Sequence, residues 1–261
     1  FDKSTALMLA SKEGHKSTVQ LLIARGADAN LVDLYGWAPL HFAASWGRKD
    51  TALILIVEGN ADTNSCETTA KGEGGTPPLI VAAKGAHKEI VKLLVQYGAD
   101  INYPEMHHGN TALAAAAELG LPEIVQMLLD FDANINYKNH ITGTTALMLA
   151  AAAGRRGAIV TLLNNLADMN ILDNRSWNAL MHAEKRGFRD DMLKCVTKKK
   201  STRLTQPLRT LQRSSIFFHR QLVHTFRMQK TRWQSITSSW RSIHSNLATF
   251  RKSGAANFSP L

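Results

Sequence analysis

The sequence predicts an all-α solenoid of about six helix-turn-helix repeats, followed by a basic C-terminal tail that is disordered or partly helical. Three observations predict this fold class: a segment that recurs six times at a period near 33 residues, an apolar pattern of helical spacing in each copy, and a change of composition after residue 197. Such a period is typical of stacked repeats, in which each unit buries its apolar face against its neighbours.

The recurrence is clearest at one leucine in each copy. The intervals between these leucines are 33, 39, 34, 34 and 33 residues, and the longest interval contains an insertion at residues 65–75. We call them the key leucines: Leu7, Leu40, Leu79, Leu113, Leu147 and Leu180. The insertion includes "KGEGG", which lacks the spacing of a phosphate-binding loop. We therefore expect a flexible connection there.

Each copy predicts two helices, each followed by residues that end it. In the fifth copy, Leu147, Ala150 and Ala151 form the i, i+3, i+4 stripe of a first helix. In five copies a glycine follows seven residues after the key leucine, which suits a left-handed C-terminal cap: Gly14, Gly47, Gly120, Gly154 and Gly187. "EIVKLLVQYGAD" (89–100) then predicts a second amphipathic helix with its own glycine stop. Asp and Asn after that stop predict a turn, since their side chains bond to nearby backbone groups.

The start of the second copy, Ala-Pro-Leu-His-Phe-Ala at residues 38–43, resembles the Thr-Pro-Leu-His-x-Ala start of the ankyrin repeat family. The resemblance extends over about residues 2–197. It implies β-hairpin fingers between the helix pairs, and partner proteins bound at the finger tips and on the concave face. On this basis we divide the chain into an ankyrin domain (1–197, with repeats at about 2–32, 33–66, 67–104, 105–138, 139–172 and 173–197), a basic linker (198–213), an amphipathic helix (214–252) and a disordered C-terminus (253–261).

Aromatic, histidine and arginine side chains occupy the fingers and nearby slots. Such residues are enriched at binding hot spots, so we predict the following partner-binding residues: Tyr35, Trp37, Trp46, Tyr103, His107, His108, Tyr137, His140, Arg175 and Trp177. For Tyr103 and Tyr137 the alternative is packing between hairpins, and Trp46 beside Gly47 fits either role. The histidines fall near neighbouring fingers, but no cysteine or carboxylate completes a metal site there. We expect no catalytic residue, metal or cofactor, and hence no enzyme.

Charge is divided unevenly along the chain. Residues 198–261 contain thirteen Lys and Arg and no Asp or Glu, whereas the rest contains eighteen basic and twenty-one acidic residues. This asymmetry indicates a separate role for the tail. The cluster at residues 198–200 suits nuclear import or is a solvated charge run. Two cysteines and no apolar run of membrane-spanning length predict an intracellular protein, cytoplasmic, nuclear or both. We expect a monomer.

Apolar residues in the tail follow the 3–4 spacing of a helix. A Trp-x-x-Ile pattern occurs twice there, and its two tryptophans are seven residues apart. The predicted contact face is Phe226, Trp233, Ile236, Trp240, Ile243, Leu247 and Phe250. Its targets are an anionic membrane surface, a calmodulin-like groove or the chain's own repeats. Disorder without a role is another interpretation, because the polar face is rich in Ser and Thr, which are poor helix formers. A misread exon or reading frame is a further one, because the tail has no carboxylate and is rich in Arg, Ser, His and Gln. Nucleic-acid binding is not expected.

The predicted function is a protein-binding scaffold or adaptor. The alternative is a substrate-recognition subunit of a ubiquitin ligase, since Leu208, Leu211, Arg213 and Ile216 resemble the start of a SOCS box, although Gln212 stands where a Cys is usual. The segment at residues 74–95 also resembles the ankyrin block of FEM-type ligase adaptors. A third interpretation is a regulatory module of a larger enzyme or channel.

Overall fold

The computed structural model describes residues 3–66 and 75–201. In these two ranges it contains twelve α-helices in six antiparallel pairs and no β-strand. The helices are α1 (Ala6–Glu13), α2 (Lys16–Ala24), α3 (Pro39–Ser45), α4 (Lys49–Val57), α5 (Pro78–Lys84), α6 (Lys88–Gln96), α7 (Ala112–Leu119), α8 (Pro122–Asp130), α9 (Ala146–Ala152), α10 (Arg156–Asn164), α11 (Ala179–Lys185) and α12 (Arg189–Ser201). The predicted all-α solenoid is confirmed. Because α12 continues to Ser201, the first residues of the predicted linker are helical.

Two helical layers run the length of the stack. The odd-numbered helices contact one another in order and form the first-helix layer, and the even-numbered helices form the second-helix layer. The predicted stripe is buried between the layers, with Leu147 1% and Ala150 and Ala151 0% exposed. One apolar cluster extends from Leu7 to Cys195, so neighbouring repeats share a continuous core.

Helix ends follow local chemistry. Thr111 and Asn178 cap their helices by accepting the backbone N–H three residues on, and Pro122 occupies a first-turn position where no N–H is needed. The five predicted cap glycines all have positive φ, between 65° and 81°. In the third repeat Ala86 takes this conformation instead, with φ of 57°.

The Asp and Asn residues after each second helix do more than form a turn. Within a repeat, the Asn64 N–H donates to Asp62 Oδ1 at 2.9 Å, as predicted for this turn. Between repeats, the Asp100 N–H donates to Asn64 Oδ1 at 2.7 Å, and the Asn134 N–H donates to Asn102 Oδ1 at 2.8 Å. Asp62 bonds to Asn30 and Asp168 to Asn136 in the same way, so a ladder of amide side chains fixes the register of the first five repeats.

Further polar contacts join each repeat to the next. The Arg48, His87 and Arg155 side chains reach back to the carbonyls at the end of the preceding first helix, at 2.9–3.0 Å. Carbonyls there lack partners within the helix, so these bonds satisfy them. Ion pairs between successive second helices, such as Lys16 with Asp50 at 2.9 Å, are exposed and screened by solvent, so they contribute little to stability.

The fingers are tight turns rather than the predicted β-hairpins. The second, fourth, fifth and sixth tips are each closed by two backbone hydrogen bonds, for example Asp33 N–H to the Trp37 carbonyl at 3.1 Å and Gly36 N–H to the Asp33 carbonyl at 3.2 Å. Two such bonds are too short a ladder to form strands. The predicted flexible insertion lies mostly outside the described residues, at 67–74.

Replacing Gly143 by alanine tests how closely two fingers approach each other. Gly143 has φ of +75°, and an added Cβ would overlap Asn174 Oδ1 and lie 2.7 Å from the Asn174 backbone nitrogen. We expect Gly143→Ala to lower the free energy of unfolding by about 2–4 kcal/mol, from left-handed backbone strain plus overpacking.

Gly26→Ala is the matched control, because Gly26 has φ of +87° and nothing within 4 Å of the added Cβ. Backbone strain alone applies there, with an expected loss of about 1–2 kcal/mol. Urea denaturation of both variants measures the difference. Equal losses would show that the fingers do not pack as described.

Candidate functional site

The finger tips are built around buried polar side chains. Asp33 Oδ1 accepts the N–H groups of Tyr35 and Trp37 at 2.8 and 2.9 Å, and Asp173 Oδ1 accepts those of Arg175 and Trp177 at the same distances. Both aspartates are less than 10% exposed. Each carboxylate therefore fixes the path of its tip and turns the following side chains outward.

Asp173 is also bonded to a histidine. His182 Nε2 lies 2.9 Å from Asp173 Oδ2. Burial alone would raise the pKa of the Asp173 carboxyl, but the N–H donors of Trp177 and Arg175 and the His182 ring together lower it below its ordinary value. The carboxylate stays ionised and holds the sixth finger in place.

The fourth and fifth fingers use other side chains in this position. In the fifth, Asn139 Oδ1 accepts the N–H of Ile141 at 2.8 Å. In the fourth, Glu105 is 3% exposed, and its carboxylate pairs with Lys84 of the preceding repeat at 2.8 Å and lies 3.7 Å from His108 Nδ1. The ion pair ties this finger to the first helix of the preceding repeat.

Two of the predicted contact residues, Trp37 and Tyr103, also pack against neighbouring side chains. The half-buried Trp37 ring stacks on His41 at 5.9 Å and meets Phe42 edge-on at 5.4 Å. The phenolic oxygen of the half-buried Tyr103 accepts a hydrogen bond from the Cys66 thiol at 3.2 Å. The nearby Cys66 sulfur, burial and the Asp100 and Asp62 carboxylates raise the pKa of Tyr103, because each disfavours a negative charge on the phenolic oxygen.

The remaining predicted residues differ in exposure. Tyr35 and Trp46 are 55% and 53% exposed. Also exposed are His107, His108, His140 and Arg175, whereas Tyr137 and Trp177 are half-buried. The predicted tail face, from Phe226 to Phe250, lies outside the described residues. Within residues 3–66 and 75–201, no group of three or more His, Cys, Asp or Glu side chains could hold a metal ion. In the same ranges no helix is long and apolar enough to cross a membrane.

A further surface lies beside the fingers, and of its side chains only Trp46 was among the contact residues predicted from the sequence. It consists of the slots five and six residues after each key leucine, together with the slot two residues after it except in the third and fourth repeats, where Val81 and Ala115 are buried. We call this surface, together with the finger tips, the inner face. Its exposed or half-buried apolar side chains include Leu9, Trp46, Leu119 and Leu149. These slots vary from copy to copy while the neighbouring core slots stay Leu or Ala, and that difference between slots could have revealed them.

On the inner face, a lysine side chain lies over the ring of Trp46 and another lies over the ring of Trp177. Lys12 Nζ lies 5.2 Å from the Trp46 ring centre, and Lys185 Nζ lies 4.6 Å from the Trp177 ring centre. Trp177 also meets His182 edge-on at 5.5 Å. Cation–π contacts of this kind hold an aromatic ring in a defined orientation.

Trp177 forms one wall of a cavity of about 410 Å³ between the sixth finger and the last three first helices. The lining consists of an apolar floor, an aromatic wall and a mainly basic rim: Glu118, Leu149, Ala152, Ala153, Arg175, Trp177, His182, Lys185 and Arg186. The arrangement suits binding of a side chain or peptide segment.

Comparison with known proteins gives consistent matches to one kind of repeat. A model of three ankyrin repeats matches residues 2–66 and 60–139, and a single ankyrin-repeat model matches residues 142–174. The chain is 44% identical to mouse protein phosphatase 1 regulatory subunit 12A over 52 residues, which are 20% of this chain and 5% of that protein.

Two further relatives match longer segments. Human ankyrin repeat and SOCS box protein 3 is 32% identical over 101 residues, covering 39% of this chain and 19% of that protein. Human neurogenic locus notch homolog protein 2 is 35% identical over 108 residues, covering 41% of this chain and 4% of that protein. The chain thus spans less than a fifth of the length of these three relatives.

Proposed function

The chain belongs to the ankyrin repeat family, whose repeats bind other proteins, and on that premise we propose that it is a scaffold or adaptor that binds a partner through the inner face. One observation carries the proposal. Trp46 and Trp177 both lie on the inner face, each beneath a lysine. Tryptophan held in a fixed orientation on an accessible surface is typical of binding hot spots.

The proposed role is binding rather than catalysis. Ankyrin repeats are interaction modules, and the relatives named above include a phosphatase regulatory subunit and a notch homolog. A repeat stack presents an extended surface along which several side chains contact a partner at once. The proposed location is inside the cell, in the cytoplasm, the nucleus or both. Its support is that neither Cys66 nor Cys195 forms a disulfide in the part of the chain that the structure describes.

Photo-cross-linking tests the proposed surface. A benzophenone amino acid in place of Trp46 is expected to form covalent adducts with a partner protein in cells. The matched control carries the same amino acid at Val57, which is 44% exposed on the second-helix layer. Adducts from position 57 in equal yield, or no adduct from position 46, would contradict the proposal.

A second candidate is a substrate-recognition subunit of a ubiquitin ligase. Two observations favour it: the match to human ankyrin repeat and SOCS box protein 3, and the SOCS-like pattern from Leu208 to Ile216. Co-purification of elongin or cullin subunits with the full chain tests it. If quantitative proteomics of the purified chain finds neither, the ligase candidate is excluded and the adaptor role remains.

A regulatory module of a larger protein is the third candidate. The match to mouse protein phosphatase 1 regulatory subunit 12A favours it, because that relative is itself a regulatory subunit. Sequencing of the full-length transcript would show whether a catalytic or channel domain is encoded with these repeats.

A further inference from the structure

We propose that the cavity beside Trp177 docks an acidic segment of the partner protein, with one bulky apolar side chain inserted between carboxylates that meet the basic rim. This inference rests on the proposed function of the inner face and adds the chemistry of the partner. We call the site the Trp177 groove. Its volume of about 410 Å³ lies within the ~300–1,000 Å³ range of ligand sites.

The floor of the Trp177 groove favours an apolar side chain. Leu149, Ala152 and Ala153 of the fifth repeat are half-buried and line it. The Trp177 ring forms the adjoining wall, and burying an apolar side chain against these groups contributes roughly 25 cal/mol per Å². A leucine or aromatic side chain of the partner would cover both surfaces at once.

The rim of the groove favours carboxylates. Arg175, Lys185 and Arg186 line it, against one carboxylate, Glu118. Elsewhere in the described residues several cations have acidic partners, as Lys84 does with Glu105. No ion pair joins the three rim cations to a carboxylate in residues 3–66 and 75–201. An excess of unpaired positive charge around a cavity attracts and orients an acidic partner.

The groove is already shaped before a partner arrives. The backbone N–H of Trp177 donates to the buried Asp173 at 2.9 Å. The Trp177 ring meets the His182 ring edge-on, and Lys185 Nζ lies over it, so three contacts hold the tryptophan in place. Asp173 is 7% exposed and accepts bonds from the finger and from His182, so its charge serves the finger rather than the rim. Because the wall is preformed, less conformational entropy is lost when a partner binds.

Selection of binding peptides tests the proposal with the full chain. The probe is a phage-displayed library of random twelve-residue peptides, and the selected peptides are then measured by fluorescence polarisation. We expect them to combine Asp or Glu with a bulky apolar residue. The charge reversals Arg175→Glu and Arg186→Glu together are expected to weaken binding by about tenfold, with less binding at high salt.

The control separates the groove from the basic tail. Arg25→Glu with Lys92→Glu changes the net charge equally at two exposed positions away from the groove, and we expect less than a twofold effect. Circular dichroism verifies that both variants fold. Equal weakening by both pairs, selected peptides without acidic residues, or no selected peptide would overturn the proposal.

Failure here is distinguishable from failure of the proposed function. If adducts still form from position 46 while the groove substitutions leave peptide binding unchanged, the inner face binds a protein and the acidic docking site is wrong. If position 46 yields no adduct, the proposed function itself is wrong.

Discussion

Acidification from pH 6.5 to pH 4 is expected to lower the free energy of unfolding by about 3 kcal/mol through His41 alone. His41 is 1% exposed in the core of the second repeat, and this burial lowers its pKa from 6.5 to about 4. The unfolded chain takes up the proton at the higher pH, so stability is full above pH 6.5 and is lost as the pH falls toward 4. At about 1.36 kcal/mol per pKa unit, the loss follows from the linkage of proton binding and folding.

The hydrogen bonds of His41 require the neutral ring. Nδ1 accepts the Ala38 N–H at 3.0 Å, and Nε2–H donates to the Thr76 carbonyl of the next repeat at 3.0 Å. A proton on Nδ1 would remove the first bond and bring a positive charge into the core. The Asp33 carboxylate and the carbonyls of Thr76, Ser65 and Ala38 favour the charged ring, but burial outweighs them.

Proton NMR of the His41 ring and urea denaturation between pH 7.5 and pH 4 measure this effect. The ring is expected to remain neutral until about pH 4. His41→Gln should be less stable than the native chain at pH 7, and its stability should depend less on pH between 6.5 and 4. A ring that titrates near 6.5, or equal pH dependence in both chains, would show that His41 is not buried as described.

The sequence predicted what depends on local pattern. The i, i+3, i+4 stripe at Leu147, Ala150 and Ala151 is buried, and the five predicted cap glycines have the left-handed φ that a C-terminal cap requires. The Asp and Asn turns bond to their own backbone as expected. Each of these features is decided within a few residues, so one copy of the repeat is enough to predict it.

Contacts between repeats could not be predicted in the same way. The ladder from Asn64 to Asp100, the ion pair of Lys84 with Glu105 and the bond from Cys66 to Tyr103 each join residues more than 20 positions apart. They depend on how far one helix pair is displaced from the next, which is set by packing rather than by spacing along the chain.

Replacement of Trp46 and Trp177 together by alanine is expected to weaken binding of the cross-linked partner by about 30-fold or more. Truncation of a hot-spot residue costs at least about 2 kcal/mol, and each 1.4 kcal/mol is tenfold in affinity. Trp46 presents an exposed ring under Lys12, and Trp177 forms the wall of the groove. Both rings contact their surroundings from the surface, so the helical stack should still form.

The central claim, that the inner face binds a protein, is tested most directly by the dissociation constant of that partner, measured by biolayer interferometry. The control pair is Leu21→Ala with Val57→Ala, two apolar residues that are 55% and 44% exposed on the second-helix layer. Circular dichroism checks the folding of both doubles. We predict a loss of about 30-fold or more for the tryptophan pair and less than about threefold for the control. Equal losses in the two pairs, or an unchanged constant without the tryptophans, would contradict the claim.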